Sequence, residues 1–220
     1  MPKADALAFG RIVPWSMRRA PRVVTVSEHA RLDVLKSLPA LDPAHVIAIP
    51  NGVSAAYGPD PTAADRVRAA YGLEPGYVLF IGALQPRKNL LRLLEAYARV
   101  RDTRGTMPPL VLVGNTKQDH DELAECITKL GLTDAVHQVG YVEGEAALRD
   151  LYVAAGVFAF PSLYEGFGLP IAEAMACGTP VLAADATALP EVAGGAAVLV
   201  DPLSVSAIAT GLATLLDDES

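Results

Sequence analysis

Val157-Phe-Ala-Phe-Pro-Ser-Leu-Tyr-Glu-Gly-Phe-Gly-Leu-Pro-Ile-Ala-Glu173 reads as a short apolar strand, a glycine loop and the start of a helix. The strand covers Val157–Phe160. Pro170 suits the first helical turn, where its missing N–H would have no partner and its φ is already helical. Such a junction offers free backbone N–H groups and the positive end of a helix dipole, so it favours an anionic ligand. Glu165 and Glu173 flank it eight residues apart, placed to accept hydrogen bonds from ligand hydroxyls. An anion rich in hydroxyls suggests a sugar phosphate or a nucleotide sugar.

Outward from this stretch the same alternation repeats. Strands are expected at residues 22–26, 46–49, 77–81, 110–113, 136–139, 157–160, 180–183 and 197–200. Helical patterns are expected at 28–38, 62–71, 89–101, 119–130, 143–155, 170–177 and 204–216. Leu90, Leu93, Leu94, Tyr97 and Val100 fall at helical spacing. The strands are nearly continuous apolar runs, as in a parallel sheet covered on both faces. Together these indicate an α/β chain with a doubly wound, Rossmann-like parallel sheet. Pro50-Asn-Gly52 and the Pro/Asp-rich stretch 57–62 mark a boundary between residues 1–52 and 53–220. The second segment holds six strand–helix units, enough for a complete domain. One strand, one helix and another strand before it cannot enclose a core. With no stop signal before Asp217-Asp-Glu-Ser220, the sequence reads as cut at both ends.

About half of the 220 residues are apolar and a fifth charged, which gives a sizeable core and argues against disorder. Cys126 and Cys177 form no CxxC pattern, and the four histidines show no metal-ligand spacing, so neither a disulfide scaffold nor a zinc site is expected. A reducing, cytosolic compartment fits. Residues 1–36 carry seven Lys/Arg against three Asp/Glu, and the rest eleven against twenty-two. The acidic bulk excludes general nucleic-acid binding. The basic start, with Arg11, Arg18, Arg19 and Arg22, reads either as a solvated end of an incomplete domain or as a contact with anionic lipid or acceptor, a peripheral membrane association. No apolar run reaches the roughly 20 residues that span a bilayer, and the first residues lack the apolar core of a signal peptide.

Ligands of open parallel sheets bind at the carboxyl ends of the strands. Four glycine-bearing loops follow strands here: Gly82–Asn89, Gly114–Lys117, Gly140–Val142 and Pro161–Gly168. Each alone is an ordinary turn; their convergence on one edge is the signal. Arg87 and Lys88 stand at a helix start, where cations oppose the dipole unless an anion lies between. Asn89 reads as the N-cap. Glu173 reads as either a first-turn carboxylate favoured by the dipole or a ligand group, and Glu165 as either solvated or ligand-binding. Gly166 and Gly168 around Phe167 permit close backbone approach. Tyr164 and Phe167 read as packing residues in preference to a stacking platform, Glu191 as either a cap or pair within a short helix or a ligand group, and Asp185 as either a turn or a cleft residue. No Ser/His/Asp set and no GK[ST] phosphate loop is present.

At these residues the sequence resembles family-4 (group 1) retaining glycosyltransferases of the GT-B fold. The matching stretches are 77–89, 111–114, 139–142, above all 162–180, then 189–202. Residues 23–29 and 49–53 resemble the end of that family's N-terminal domain and its interdomain link. The resemblance implies that 53–220 is the donor-binding domain and 1–52 a remnant of the acceptor domain. It implies that Lys88 neutralises the donor diphosphate, and that Glu165 with Gly166, Phe167, Gly168 and Leu169 holds the transferred sugar. Glu173 would bind the ribose hydroxyls, and Tyr141 and Val142 would lie against the base. Relatives often carry an arginine directly after the glycine matching Gly82; here Ala83 stands there, and Arg87 is the substitute cation. Lys88 and Glu165 are thus the catalytic candidates, with Gly82 and Arg87 beside them.

The implied activity is transfer of a sugar from a nucleoside-diphosphate sugar to a glycan or lipid-linked acceptor hydroxyl, in the cytoplasm or at the inner membrane face. The Pro86-Arg-Lys-Asn89 form points to GDP-mannose. Neither metal nor cofactor is implied. Two rivals use the same donor-side physics: a non-catalytic nucleotide-sugar binding module, and another GT-B enzyme such as a nucleotide-sugar epimerase or a sugar phosphorylase.

Overall fold

The computed structural model describes residues 3–115 and 120–217, which divide into two compact units, 1–52 and 53–220. Lys117, at the end of one glycine loop, Asp119, expected to open a helix, and residues 218–220 lie outside the described residues.

In the first unit, α1 (Lys3–Arg19), β1 (Val23–Thr25), α2 (Glu28–Ser37), a 3-10 turn (Pro43–His45) and β2 (Val46–Ala48) follow in order. β1 and β2 are parallel, Val23 opposite Val46. Ser27 caps α2, its hydroxyl accepting from the Ala30 N–H at 3.0 Å. Arg31 on α2 donates from Nε to the Val46 carbonyl at 2.8 Å. Helix α1 was not expected. Pro14 lies inside it, and an interior proline reads in sequence as a break.

The second unit contains α3 (Ala63–Tyr71), β3 (Tyr77–Ile81), α4 (Leu90–Arg104), β4 (Leu110–Val113), α5 (His120–Lys129), β5 (Val136–Gly140), α6 (Glu145–Ala154), β6 (Ala155–Phe160), α7 (Leu169–Ala176), β7 (Val181–Ala184), α8 (Leu189–Ala193), β8 (Val198–Val200) and α9 (Val205–Asp217). The six strands form one parallel sheet in the order β5-β4-β3-β6-β7-β8, so the α/β, doubly wound parallel expectation holds. Tyr77–Phe80, Leu110–Val113, Val157–Phe160 and Val181–Ala184 are all buried, which requires helices on both faces. α3 packs on α6, and α4 on α9. Buried phenols find carbonyls: Tyr77 donates to Leu151 O at 2.8 Å and Tyr97 to Pro108 O at 2.7 Å. At one edge β5 has exposed His137 and Gln138.

The chain leaves β3 toward β4 and β5 on one side and returns to β6 on the other. The order therefore reverses between β3 and β6, and ligands of such sheets bind outside the carboxyl ends of the strands at that crevice.

Candidate active site

Three of the glycine loops are stitched together at the carboxyl edge. The Gly82 N–H donates to Val113 O (2.9 Å), Gly114 N–H to Gly140 O (2.7 Å) and Leu84 N–H to Asn115 O (3.3 Å). Gly114 has φ +139°, and a Cβ there would stand 1.9 Å from the Gly82 carbonyl oxygen; only glycine lets these backbones meet. The loops enclose an open cleft of about 960 Å³, lined among others by Gly82, Arg87, Gly114, Tyr141, Val142 and Glu145. Tyr141 is 70% exposed there, whereas Val142 is buried.

The fourth loop, 161–168, is absent from that lining and joins the cleft through Arg87. Arg87 and Lys88 lie in a 3-10 turn (Pro86–Lys88). The Arg87 carbonyl accepts from the Leu163 N–H at 2.8 Å and from Ser162 Oγ at 3.2 Å. Its guanidinium donates to Tyr164 O at 3.1 Å and Glu165 Oε1 at 2.8 Å. Lys88 Nζ donates to the same oxygen at 2.6 Å, and Ser162 Oγ at 2.7 Å. The anion expected between these cations and the helix is, in this structure, Glu165 itself. Lys88 is almost fully buried and sits 4.4 Å from the Phe160 ring centre, a favourable place for a cation. Burial pushes its ammonium below the ordinary lysine range, against the upward pull of Glu165. The Glu165 N–H donates to Thr187 Oγ1 at 3.1 Å.

Gly168 has φ +102° immediately before α7, the conformation that lets the loop turn into the helix, and Pro170 takes its expected place in the first turn. Glu173 is not in that turn, which contains no acidic residue. It lies one turn on, so the dipole explanation fails. Its hydrogen-bond partner is a phenol: Tyr152 donates to Oε2 at 3.0 Å, and the Tyr57 ring packs edge-on against the Tyr152 ring at 6.0 Å. Burial raises its carboxyl above the ordinary glutamate value, with Glu145 pushing the same way. Glu173 also lies outside the cleft lining.

Two further expectations are corrected. Asn89 stands at the N-cap position of α4, but at φ 62° and without a capping bond. Its amide donates instead to Pro161 O (3.0 Å) and Pro202 O (2.6 Å), holding the ends of two loops together. Tyr164 is half exposed rather than packed; Phe167 and Gly166 are partly buried, and Leu169 is exposed. Asp185 is an exposed residue whose N–H donates to Val200 O at 2.8 Å, the turn alternative. Glu191 does lie in a short helix, α8.

Sequence reasoning missed Tyr57, Tyr152, Ser162, Thr187 and Glu145. Thr187, at φ 54°, is a β-branched residue in left-handed backbone, which has no local sequence signature. Among the described residues no group of three or more His, Cys, Asp or Glu side chains could hold a metal ion. No described helix is long and apolar enough to cross a membrane.

Residues 63–220 match the family described as glycosyl transferases group 1. The O-antigen chain mannosyltransferase B of Escherichia coli is 36% identical over 209 residues, covering 93% of this chain and 54% of the relative. The MMP alpha-(1->4)-mannosyltransferase of Mycolicibacterium hassiacum is also 36% identical, covering 91% of this chain and 46% of that protein. The chain thus spans about half the length of these curated relatives. Anabaena Alr3699/HepE, solved in complex with UDP and glucose, superposes with a TM-score of 0.84 at 26% identity, covering 95% of this chain and 57% of that one. The C-terminal domain of the group 1 glycosyl transferase LpcC from Francisella tularensis gives 0.65 at 26% identity, covering 76% of this chain and 89% of that domain. The chain belongs to the group 1 glycosyl transferases, and its second unit has the fold of their C-terminal, GT-B-type domain.

Proposed function

We propose that residues 53–220 bind a nucleoside-diphosphate sugar and that the whole enzyme transfers the sugar, with retention, to an acceptor hydroxyl. The observation that carries this reading is the convergence of Arg87 and Lys88 on one carboxylate at the reversal of strand order, beside a cleft large enough for a nucleotide. Cations held in place before the ligand arrives need little reorganisation when charge develops on a leaving group. Lys88 and Arg87, aided by the α7 N-terminus, stabilise the departing diphosphate. Arg87 supplies the second cation that Ala83 does not. Glu165 and the backbone of Gly166–Leu169 hold the sugar, Gly82 leaves room for the phosphates, Tyr141 and Val142 lie against the base, and Glu173 takes the ribose.

Two mannosyltransferases among the relatives favour mannose, with GDP as the carrier. The acceptor is a glycan or lipid-linked hydroxyl, and the work is done in the cytoplasm, at the inner membrane face when that acceptor is lipid-linked. No cofactor beyond the donor is needed. Calorimetric titration of residues 1–220 with GDP, UDP and ADP tests the reading. We expect weak binding with GDP preferred and no sugar transfer by this chain alone. Failure of all three to bind would sink the donor assignment.

A further inference from the structure

Glu173 is held differently from Glu165, by a phenol and not by cations. Tyr152, buried on α6, donates its hydroxyl to Glu173 Oε2 at 3.0 Å. Burial and the charge of Glu173 both push the phenol of Tyr57, in the stretch before α3, upward. The two phenol rings lie 6.0 Å apart at 67°, and Tyr152 packs edge-on against Phe158 at 5.2 Å and 78°. Thr179 Oγ1 fixes the Tyr152 carbonyl at 2.7 Å. The donating hydroxyl is therefore carried on a ring packed against two others, those of Tyr57 and Phe158. The donor is neutral, so it orients the carboxylate without cancelling its charge. The charge that acts on Glu173 comes from another carboxylate, Glu145 on the cleft wall. An ionised carboxylate has about four lone-pair sites; one phenol leaves acceptor capacity unused. A half-buried anion fixed by a neutral donor suits a partner offering two adjacent hydroxyls, because a cationic partner would be met better by an uncommitted side chain.

We propose that Tyr152, its ring braced by Tyr57, is a positioning residue that aims Glu173 at the vicinal hydroxyls of the nucleotide's ribose. This rests on the donor reading above. The test measures affinities of residues 1–220 for GDP and UDP, each against its 2′,3′-dideoxy analogue, in the unsubstituted chain and in Tyr152→Phe, Tyr57→Phe and Glu173→Gln. In the unsubstituted chain the ribose form of the better ligand binds about tenfold more tightly. Tyr152→Phe keeps the ring packing and lowers that ratio at least about threefold, while affinity for the dideoxy form stays the same; Tyr57→Phe keeps the bracing ring and leaves the ratio as it is. A merely structural role weakens both ligands alike and leaves the ratio unmoved. If Glu173→Gln abolishes the preference but Tyr152→Phe does not change it, the positioning role is wrong and the donor reading stands. A preference absent from the unsubstituted chain, or untouched by Glu173→Gln, removes the ribose role of Glu173 and this inference with it.

Discussion

The two ends of the Glu165–Glu173 segment hold their carboxylates by opposite means. Glu165 accepts from Lys88, Arg87 and Ser162 on a single oxygen, so its charge is outweighed by two cations and the cluster keeps a net positive charge. Glu173 is met by Tyr152, with burial raising its carboxyl and Glu145 adding like charge. One end is therefore a set of charges waiting to exchange partners, and the other a charge kept available by a neutral donor. A diphosphate can compete with Glu165 for Arg87 and Lys88 because it carries the same sign. A diol can join Glu173 without displacing anything. The chemistry of the ligand is divided along one loop and one helix.

Removing the cationic end should have the largest effect. Lys88→Ala leaves Glu165 with one full cation fewer and the diphosphate without its buried partner; affinity for nucleoside diphosphate should fall about 100-fold, about 2.7 kcal/mol, read by calorimetry. An affinity within a factor of three of the unsubstituted chain would contradict a phosphate role for Lys88.

Next, Gly168→Ala perturbs the joint between the two ends. A Cβ at φ +102° is strained whatever the space, and would also stand 2.5 Å from Leu189 Cδ2. A loss of about 1–2 kcal/mol in urea unfolding is expected, with both carboxylates displaced and nucleotide affinity reduced as well. Unchanged stability would mean that the loop relaxes freely and does not fix the spacing.

Glu165→Gln separates the ends by ligand. Free diphosphate loses its competitor for Arg87 and Lys88 and should bind a few-fold tighter, while the extra affinity given by an attached sugar should fall about tenfold. Equal changes for the nucleotide and the nucleotide sugar would remove Glu165 from sugar binding.

The smallest effect is a pH dependence at the phenol-held end. Glu173 has a folded value above its ordinary 4.5, so as pH falls from neutral it takes up a proton earlier than a free glutamate. Nucleotide affinity should decline over that window, and the part of the decline that disappears in Glu173→Gln belongs to this residue. For stability the sign is reversed: folding favours the protonated form, so the contribution is present below 4.5 and is lost as pH rises through the raised value. A Glu173→Gln chain with the same pH slope in both measurements would show that the carboxyl does not titrate there.

Much of the fold is legible in the chain because its signals are local. Apolar runs such as Tyr77–Ile81 and Leu110–Val113 are bounded by glycine and proline, and β3 and β4 occupy those residues. Helix α1 escaped because Pro14, inside it, contradicts helical propensity. At the site, the residue types at 87, 88, 165 and 173 were visible, but their partners were not. Glu173 looked like a first-turn residue because the helix was expected to start at Pro170, and Tyr152 drew no reading beyond its place in the helix expected at 143–155.

By itself the sequence determined the strand–helix alternation, the glycines that need positive φ, and the Glu-x7-Glu segment, since each depends on neighbours within a few residues. The tertiary structure alone decided that β3 lies beside β6, which brings Lys88 to Glu165 across 77 residues, and that α6 delivers Tyr152 to Glu173. Strand order is set by how whole helices cover the sheet, an energy summed over the domain that no short stretch carries.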